Sequence, residues 1–291
     1  MGARAKSREH QLSSVVEVRS ARSGDEPALT DLGLARKDGE AVLVGEQDGA
    51  IVAALSCAPR PFETEFLGRK TFHIDVIASS DSAAHAPFLS GTIERLFEEG
   101  CELLTSRRPE GEPTIDALQA AGFREIERLV TLSRPLSKNS EPLPSGVEVA
   151  IPADAEGCAE VAAAAFTFDR FHADPAVNDA AASALKAQWA RNAVGGRADR
   201  VFVTREGGTI TGFNACLLRD DTAIIDLIGV APSYQGRGLG RKLTAAAVAH
   251  YSGKATRITV GTQEHNAASL SLYRAAGFHP LSTAITLHLH A

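Results

Sequence analysis

The stretch Ile225–Leu243, IDLIGVAPSYQGRGLGRKL, changes character twice within a short run. An apolar segment rich in branched side chains stops at Pro232. Gly236, Gly238 and Gly240 then alternate with Arg237 and Leu239, and Arg241 and Lys242 open a run of helix formers. The reading is strand, loop, helix. Glycine at alternate positions keeps side chains off the loop backbone and permits left-handed dihedrals. The first turn of the following helix has N–H groups without intrahelical partners and carries the positive end of the helix dipole. Arg237, Arg241 and Lys242 add charge-assisted donors for phosphate oxygens. Together these features predict a cradle for a diphosphate. It is not the dinucleotide fingerprint, because the spacing is G-x-G-x-G and no acidic residue ends a strand some twenty residues later. It is not a P-loop either, because no Gly-Lys-Ser/Thr follows.

The rest of the chain sets limits. Its 291 residues exceed one ordinary domain, and 44% are hydrophobic, enough for normal cores. A formal charge of −6 argues against nucleic acid or an acidic membrane as a charge-driven partner. Cys57, Cys101, Cys158 and Cys216 are widely spaced, with no metal-ligand pattern. They are expected to be buried thiols of a reducing compartment, and no metal is expected. The start, MGARAKSREHQLSS, has no apolar core of a secretory signal, and no run approaches a membrane span. The expectation is a cytoplasmic protein with a flexible tail over 1–14.

The chain also repeats itself. VLVGEQDGAIVAALSC (Val42–Cys57) aligns without gaps on VFVTREGGTITGFNAC (Val201–Cys216), each reading as a hairpin around a glycine turn. TIDALQAAGFREIERLVTLSRPL (Thr114–Leu136) resembles SLSLYRAAGFHPLSTAITLHLH (Ser269–His290), each a short helix, an Ala-Gly-Phe stop and a strand. Two blocks in the same order imply duplication. SRPLSKNSEPLPSG (Ser133–Gly146) has linker composition, which places the boundary near residue 142. The expected domains are 15–136 and 147–291, joined by 137–146. In the second, helices are expected over 153–168 and 180–193, then strands over 201–205, 209–218 and 222–230. A helix over 240–251, a strand over 257–261, a helix over 267–275 and a strand over 281–289 follow. A meander that passes into strand–helix alternation implies a mixed sheet with helices on its faces.

DLIGVAPSYQGRGLGRKL and VGTQEHNAASLSLYRAAGF (Val260–Phe278) together resemble the two landmarks of the GNAT N-acetyltransferases. The resemblance covers about residues 147–291. It implies an α/β (α+β) fold of two tandem GNAT-like domains, each a mixed, mostly antiparallel sheet flanked by helices, with acetyl-coenzyme A as co-substrate. Ile228, Gly229 and Val230 would meet the pantetheine arm and the thioester, Gln235, Gly236, Arg237, Gly238, Leu239, Gly240 and Arg241 the pyrophosphate, and Asn266 the cofactor arm. Tyr273, four residues before Gly277, would protonate the departing thiolate. AFTFDRFHADP (Ala164–Pro175), WARN (Trp189–Asn192) and VGTQ (Val260–Gln263) resemble nucleotide-sugar amine acetyltransferases of the dTDP-fucosamine type, which also carry an extra N-terminal domain.

The chemistry needs a neutral amine, a polarised carbonyl and a proton for the thiolate. An unperturbed tyrosine, with a pKa of about 10, holds its proton at neutral pH and suits the last task. Asp226 is a candidate base through water and equally a structural residue, so the base is left unassigned. Arg170, His172, Trp189, Asp226 and Gln263 are acceptor-pocket candidates: a cation for a diphosphate, an aromatic for a base or sugar face. His288 and His290, near the end of the last strand, are expected to be solvated. In the first copy Leu118 stands where Tyr273 should, and ASSDSAAHAPFL (Ala78–Leu89) where the glycine loop should, so that copy is expected to be degenerate. The leading expectation is acetyl transfer to the primary amine of a small molecule. Acetylation of a protein or antibiotic amine, or a non-catalytic acyl-coenzyme A sensor, are the alternatives, and a homodimer stays open.

Overall fold

The computed structural model describes residues 16–80, 82–139 and 141–291, so the expected tail over 1–14 lies outside the described residues. In chain order the first sequence half forms β1 (Glu17–Ser20), α1 (Glu26–Asp31), β2 (Ala41–Gln47), β3 (Ala50–Pro59), α2 (Pro61–Leu67) and β4 (Thr71–Ser79), then α3 (Ser82–Glu98), β5 (Leu103–Pro109), α4 (Thr114–Ala120) and β6 (Arg124–Pro135). The second half forms β7 (Glu148–Val149), α5 (Ala155–Ala165), α6 (Arg170–Ala173), α7 (Asp179–Asn192), β8 (Arg200–Glu206), β9 (Thr209–Arg219) and β10 (Thr222–Val230), then α8 (Leu239–Tyr251), β11 (Arg257–Gln263), α9 (Ala267–Ala275) and β12 (His279–His290).

The chain divides into two compact units, and these do not coincide with the sequence halves. One holds residues up to Pro59 with Phe72–Cys101 and Ala291; the other holds Arg60–Thr71 and Glu102–His290. In the first unit β1, β2, β3 and β4 form an antiparallel run. In the second the strand order is β5-β12-β6-β11-β10-β9-β8-β7. The hairpin turns are as the sequence suggests. Asp48 and Gly49, and Gly207 and Gly208, all have positive φ, as a two-residue turn between right-twisted strands demands.

The strand order contains a feature that periodicity could not reveal. β6, the closing strand of the first sequence half, pairs with β11 of the second, Leu129 opposite Gln263. β12, the closing strand of the second half, lies between β5 and β6. The two halves have exchanged their last strands. This is why the larger compact unit takes in residues from both.

Alternation along β8 separates the two faces of the larger unit's sheet. Phe202 joins Ile225, Ile258, Leu243, Tyr251 and Phe278 in one buried cluster. Val201 and Val203 point the other way, to Cys158, Val161, Ala190 and Phe213. α8 buries Leu243, Ala246, Ala247 and Tyr251, the spacing of one helical face. Asn214, fully buried on β9, donates to the Leu243 carbonyl at 2.9 Å and ties that helix to the sheet. The four cysteines are buried thiols. Burial pushes the Cys57 and Cys158 thiols up to about 12, which keeps them protonated. Among the described residues no helix is long and apolar enough to cross a membrane.

Candidate active site

β10 and β11 are parallel neighbours only from Thr222 opposite Arg257 to Ile225 opposite Val260. At Asp226 the register of β10 on β9 shifts, and from Leu227 to Val230 the strand continues on β9 alone. A bulge bends the strand that carries it and is common beside active sites. The two strands part there, and among the described residues the edge of β10 facing the gap has no strand partner. A buried backbone edge needs donors and acceptors from elsewhere. A ligand with amides and a carbonyl would supply them. A cavity of about 890 Å³ opens at this gap. It is lined by the parted strands, by Gln235–Gly236 and Gly238–Arg241, and by Asn266 and Tyr273.

The loop after β10 has the predicted backbone. Gly236 and Gly238 have φ of +76° and +78°, and nothing lies within 4 Å of where a Cβ would sit on either. Gly238 is the left-handed residue immediately before α8. The open space over both glycines and the helix N-terminus behind them fit a diphosphate. Gly240 differs, because a Cβ there would meet Leu272 of α9 at 3.4 Å, an ordinary van der Waals contact. Arg241 lines the cavity. Arg237 turns to Glu206, at 3.3 Å, and to the Ser233 carbonyl, and lies over the Tyr234 ring. Gln235 donates to the Val230 carbonyl at 3.1 Å and pins the loop to the strand end.

Asn266 caps α9, its side-chain oxygen accepting from Ser269 N–H at 3.1 Å, which leaves its amide N–H₂ for the cavity. Tyr273 is 2% exposed and packs on Phe278, and among the described residues its hydroxyl has no hydrogen-bond partner. Burial raises its pKa, so the phenol stays protonated beyond its ordinary range. A protonated hydroxyl on a buried ring at a cavity wall is what a proton donor to a thiolate requires.

The acceptor-side candidates are rearranged relative to expectation. Trp189 lies parallel to Phe62 with ring centres 5.9 Å apart, and Lys186 Nζ sits 4.4 Å from its ring centre, so it is no open platform. Arg170 is paired to Glu63 at 3.3 Å and stacks on Phe171. Desolvation, with the nearby charge of Arg107, pulls its pKa down to about 10. His172 bonds Asp169 at 2.7 Å and Ser183 at 3.2 Å, a structural brace. Asp226 is ion-paired with Arg197. Gln263 lines the cavity and donates to Glu127 Oε2 at 2.9 Å.

Sequence reasoning missed several lining residues. Arg107, Glu127, Leu129 and Thr131 come from β5 and β6 of the first half, and Phe166, Phe168 and Lys186 from the second. Phe168, 45% exposed and 5.6 Å from His265, is an available aromatic face at the cavity. Glu127 carries no local signal, because its own face of β6 also holds Glu125, Thr131 and Ser133.

The expectation that His288 and His290 are solvated is corrected. His288 is 1% exposed, and both rings bond Asp174 Oδ2, at 2.7 and 2.8 Å. They face inward because β12 is an interior strand rather than the sheet edge. The three residues are close enough to suggest metal ligation. However, Arg69 donates to His290 Nδ1 at 2.9 Å, and a guanidinium can only donate. His290 must therefore carry its proton on Nε2 and give it to Asp174. The trio is a hydrogen-bonded brace between β12 and the turn after α6.

Residues 162–278 match the model of the "Acetyltransferase (GNAT) family". "Spore coat polysaccharide biosynthesis protein SpsD" of Bacillus subtilis (strain 168) is 34% identical over 128 residues, 44% of this chain and 44% of that protein's own length. "N-alpha-acetyltransferase RimI" of Mycobacterium tuberculosis (strain ATCC 25618 / H37Rv) is 32% identical over 130 residues, 43% of this chain and 73% of that protein. A "Tandem GNAT protein from the clavulanic acid biosynthesis pathway" has a similar fold, with a TM-score of 0.58 at 14% identity over 94% of this chain and 98% of that one. With its parted strands, its glycine loop and these likenesses, the chain belongs to the GNAT acetyltransferase family.

Proposed function

We propose that the protein is an acetyl-coenzyme A dependent N-acetyltransferase acting on the primary amine of a small molecule, in particular a nucleotide-linked amino sugar. The observation that carries the reading is the coincidence at one cavity of three things: a strand edge without a partner among the described residues, a left-handed glycine pair at a helix N-terminus, and the hydroxyl of a buried tyrosine. Gly236, Gly238 and Arg241 would hold the pyrophosphate, with the N–H groups of the first turn of α8. Ile228, Gly229 and Val230 would bond the pantetheine amides and polarise the thioester oxygen. Asn266 would orient the arm. Holding the acetyl group against an amine in one cavity supplies effective molarity, a large share of such catalysis. Tyr273 would protonate the sulfur. Phe168 offers a face for a base or sugar, a role that the covered Trp189 fills less well.

The likeness to a polysaccharide biosynthesis protein supports a sugar acceptor. The likeness to an N-alpha-acetyltransferase keeps a peptide amine as the second reading. Thiol release from acetyl-coenzyme A, measured across amino sugars, nucleotide amino sugars, polyamines and peptides, separates them. The proposal expects turnover with a nucleotide amino sugar well above that with any peptide. Faster turnover of a peptide would replace the sugar reading with the second one, and none with any amine would end the enzyme reading.

A further inference from the structure

The cavity lining contains carboxylates at Glu127, Asp169 and Asp226. Two are committed elsewhere. Asp169 gives one oxygen to the Phe171 N–H (3.0 Å) and to Lys186 (3.4 Å), and the other to His172 (2.7 Å). Asp226 is held by Arg197 at the bulge. Each of these two also keeps an oxygen with fewer than two donors, but Glu127 is the most deeply buried of the three. Its side chain is 2% exposed; among the described residues Oε1 accepts from Arg107 (2.7 Å) and Thr286 (3.1 Å), while Oε2 accepts from Gln263 alone (2.9 Å). A carboxylate oxygen can take two donors, so Oε2 has a place left.

Its position is fixed by register. Arg107 lies opposite Thr286 on β12, and Thr286 lies opposite Glu127 on β6, so the three form one row across three strands. Arg107 Nε donates to Thr286 at 2.9 Å and closes the row. Glu127, Leu129 and Thr131 alternate onto one face of β6, and all three line the cavity. On the neighbouring strand β11, Gly261 lies opposite Thr131, and Leu129 lies 3.5 Å from where its Cβ would sit. The arrangement is a buried carboxylate with one accepting position open, lining the same cavity as the parted strand.

Resting on the acetyltransferase reading above, we propose that Glu127, supplied by the first sequence half, is the carboxylate that receives the acceptor's amine. An ammonium suits the open place on Oε2 better than a hydroxyl, since both partners of that bond then carry charge. The ammonium gives one proton to Glu127, which later releases it to solvent. The neutral nitrogen attacks the thioester carbon; the N–C bond forms and the C–S bond breaks. Tyr273 gives its proton to the sulfur and regains one from the nitrogen. The sum is ammonium plus thioester giving amide, thiol and one proton. The exchange of closing strands then has a functional consequence, because without β6 beside β11 the cavity would have no such carboxylate.

The test is calorimetric titration of the full chain, saturated with coenzyme A, with two probes. These are thymidine-diphosphate-linked 4-amino-4,6-dideoxygalactose and thymidine-diphosphate-linked fucose, which carries a hydroxyl at the same carbon. The wild type should bind the amine at least tenfold more tightly, and Glu127→Gln should erase the difference while coenzyme A uptake persists. Should Glu127→Gln lose coenzyme A uptake, Glu127→Asp keeps the charge and withdraws it by one methylene; amine binding should then weaken about tenfold and that of the hydroxyl sugar stay the same. Equal binding of the two probes, binding of neither while coenzyme A binds, or a preference that survives substitution overturns the proposal. Failure of the wild type to take up coenzyme A sinks the acetyltransferase reading instead, and this one with it.

Discussion

Between β10 and α8 the chain interposes Ala231–Gly238, with two glycines in left-handed conformation before the helix starts. At the equivalent place in the first copy, β4 ends at Ser79 and α3 begins at Ser82, with no glycine between. The same contrast recurs at the helix before each Ala-Gly-Phe stop. Gly122 and Gly277 both have positive φ and end helices of the same form, yet the buried residue four positions earlier is Leu118 in one copy and Tyr273 in the other. The packing duty of that position is kept in both copies, and the hydroxyl stands in one. The fold tolerates either version, and among the described residues the loop and the hydroxyl proposed for acyl transfer stand in the second.

Four substitutions or conditions sharpen this contrast. The largest effect is expected from Tyr273→Phe, which keeps the packing and removes the proton. Turnover should fall by about one to three orders of magnitude while coenzyme A affinity changes little. An unchanged rate in a thiol-release assay would remove the role. Gly238→Val forces a side chain into a left-handed residue, at a cost of about 1–2 kcal/mol, so coenzyme A should bind about tenfold more weakly by titration. Arg241→Gln removes a cation from the first turn of α8. Affinity should drop by about fivefold at low salt and less at high salt, because the charge is exposed and screened. Leu118→Tyr restores the missing side chain without restoring a loop, so coenzyme A stoichiometry should not change at all; a second equivalent would mean that the first copy had kept a latent site.

The raised pKa of Tyr273 adds a pH test with a definite sign. Burial favours its protonated form, so the donor persists above the pH at which a free phenol ionises. Turnover measured at saturating acceptor should show no alkaline loss below about pH 10. A falling limb near pH 8 would require a different acid.

Much of the second copy was legible because its signals are local. β10 spans Thr222–Val230 and α9 spans Ala267–Ala275, as alternation, the glycine run and the Ala-Gly-Phe stop suggested. The cavity-lining Tyr273 and Asn266 could be placed because they keep a fixed spacing from that stop. What could not be read is non-local. A strand such as Arg124–Pro135 advertises its period but not its neighbours, so its seat between β11 and β12 was invisible, and with it the place of Glu127. The same cause explains His288, whose burial depends on β12 being interior. α2 escaped because its seven residues, begun by Pro61 and ended by Gly68 at φ +64°, are too few to show a helical period. It nevertheless supplies Phe62 and Glu63, which cover Trp189 and Arg170.

The claim on which the account rests is that one nest of backbone amides, built only after β10, grips the diphosphate of an acyl carrier. Titrating the intact protein with coenzyme A tests it most directly. The account predicts uptake of one equivalent, weakened by Gly238→Val and indifferent to substitutions over Ala78–Leu89. No uptake, or an equivalent that Gly238→Val leaves untouched, would contradict it.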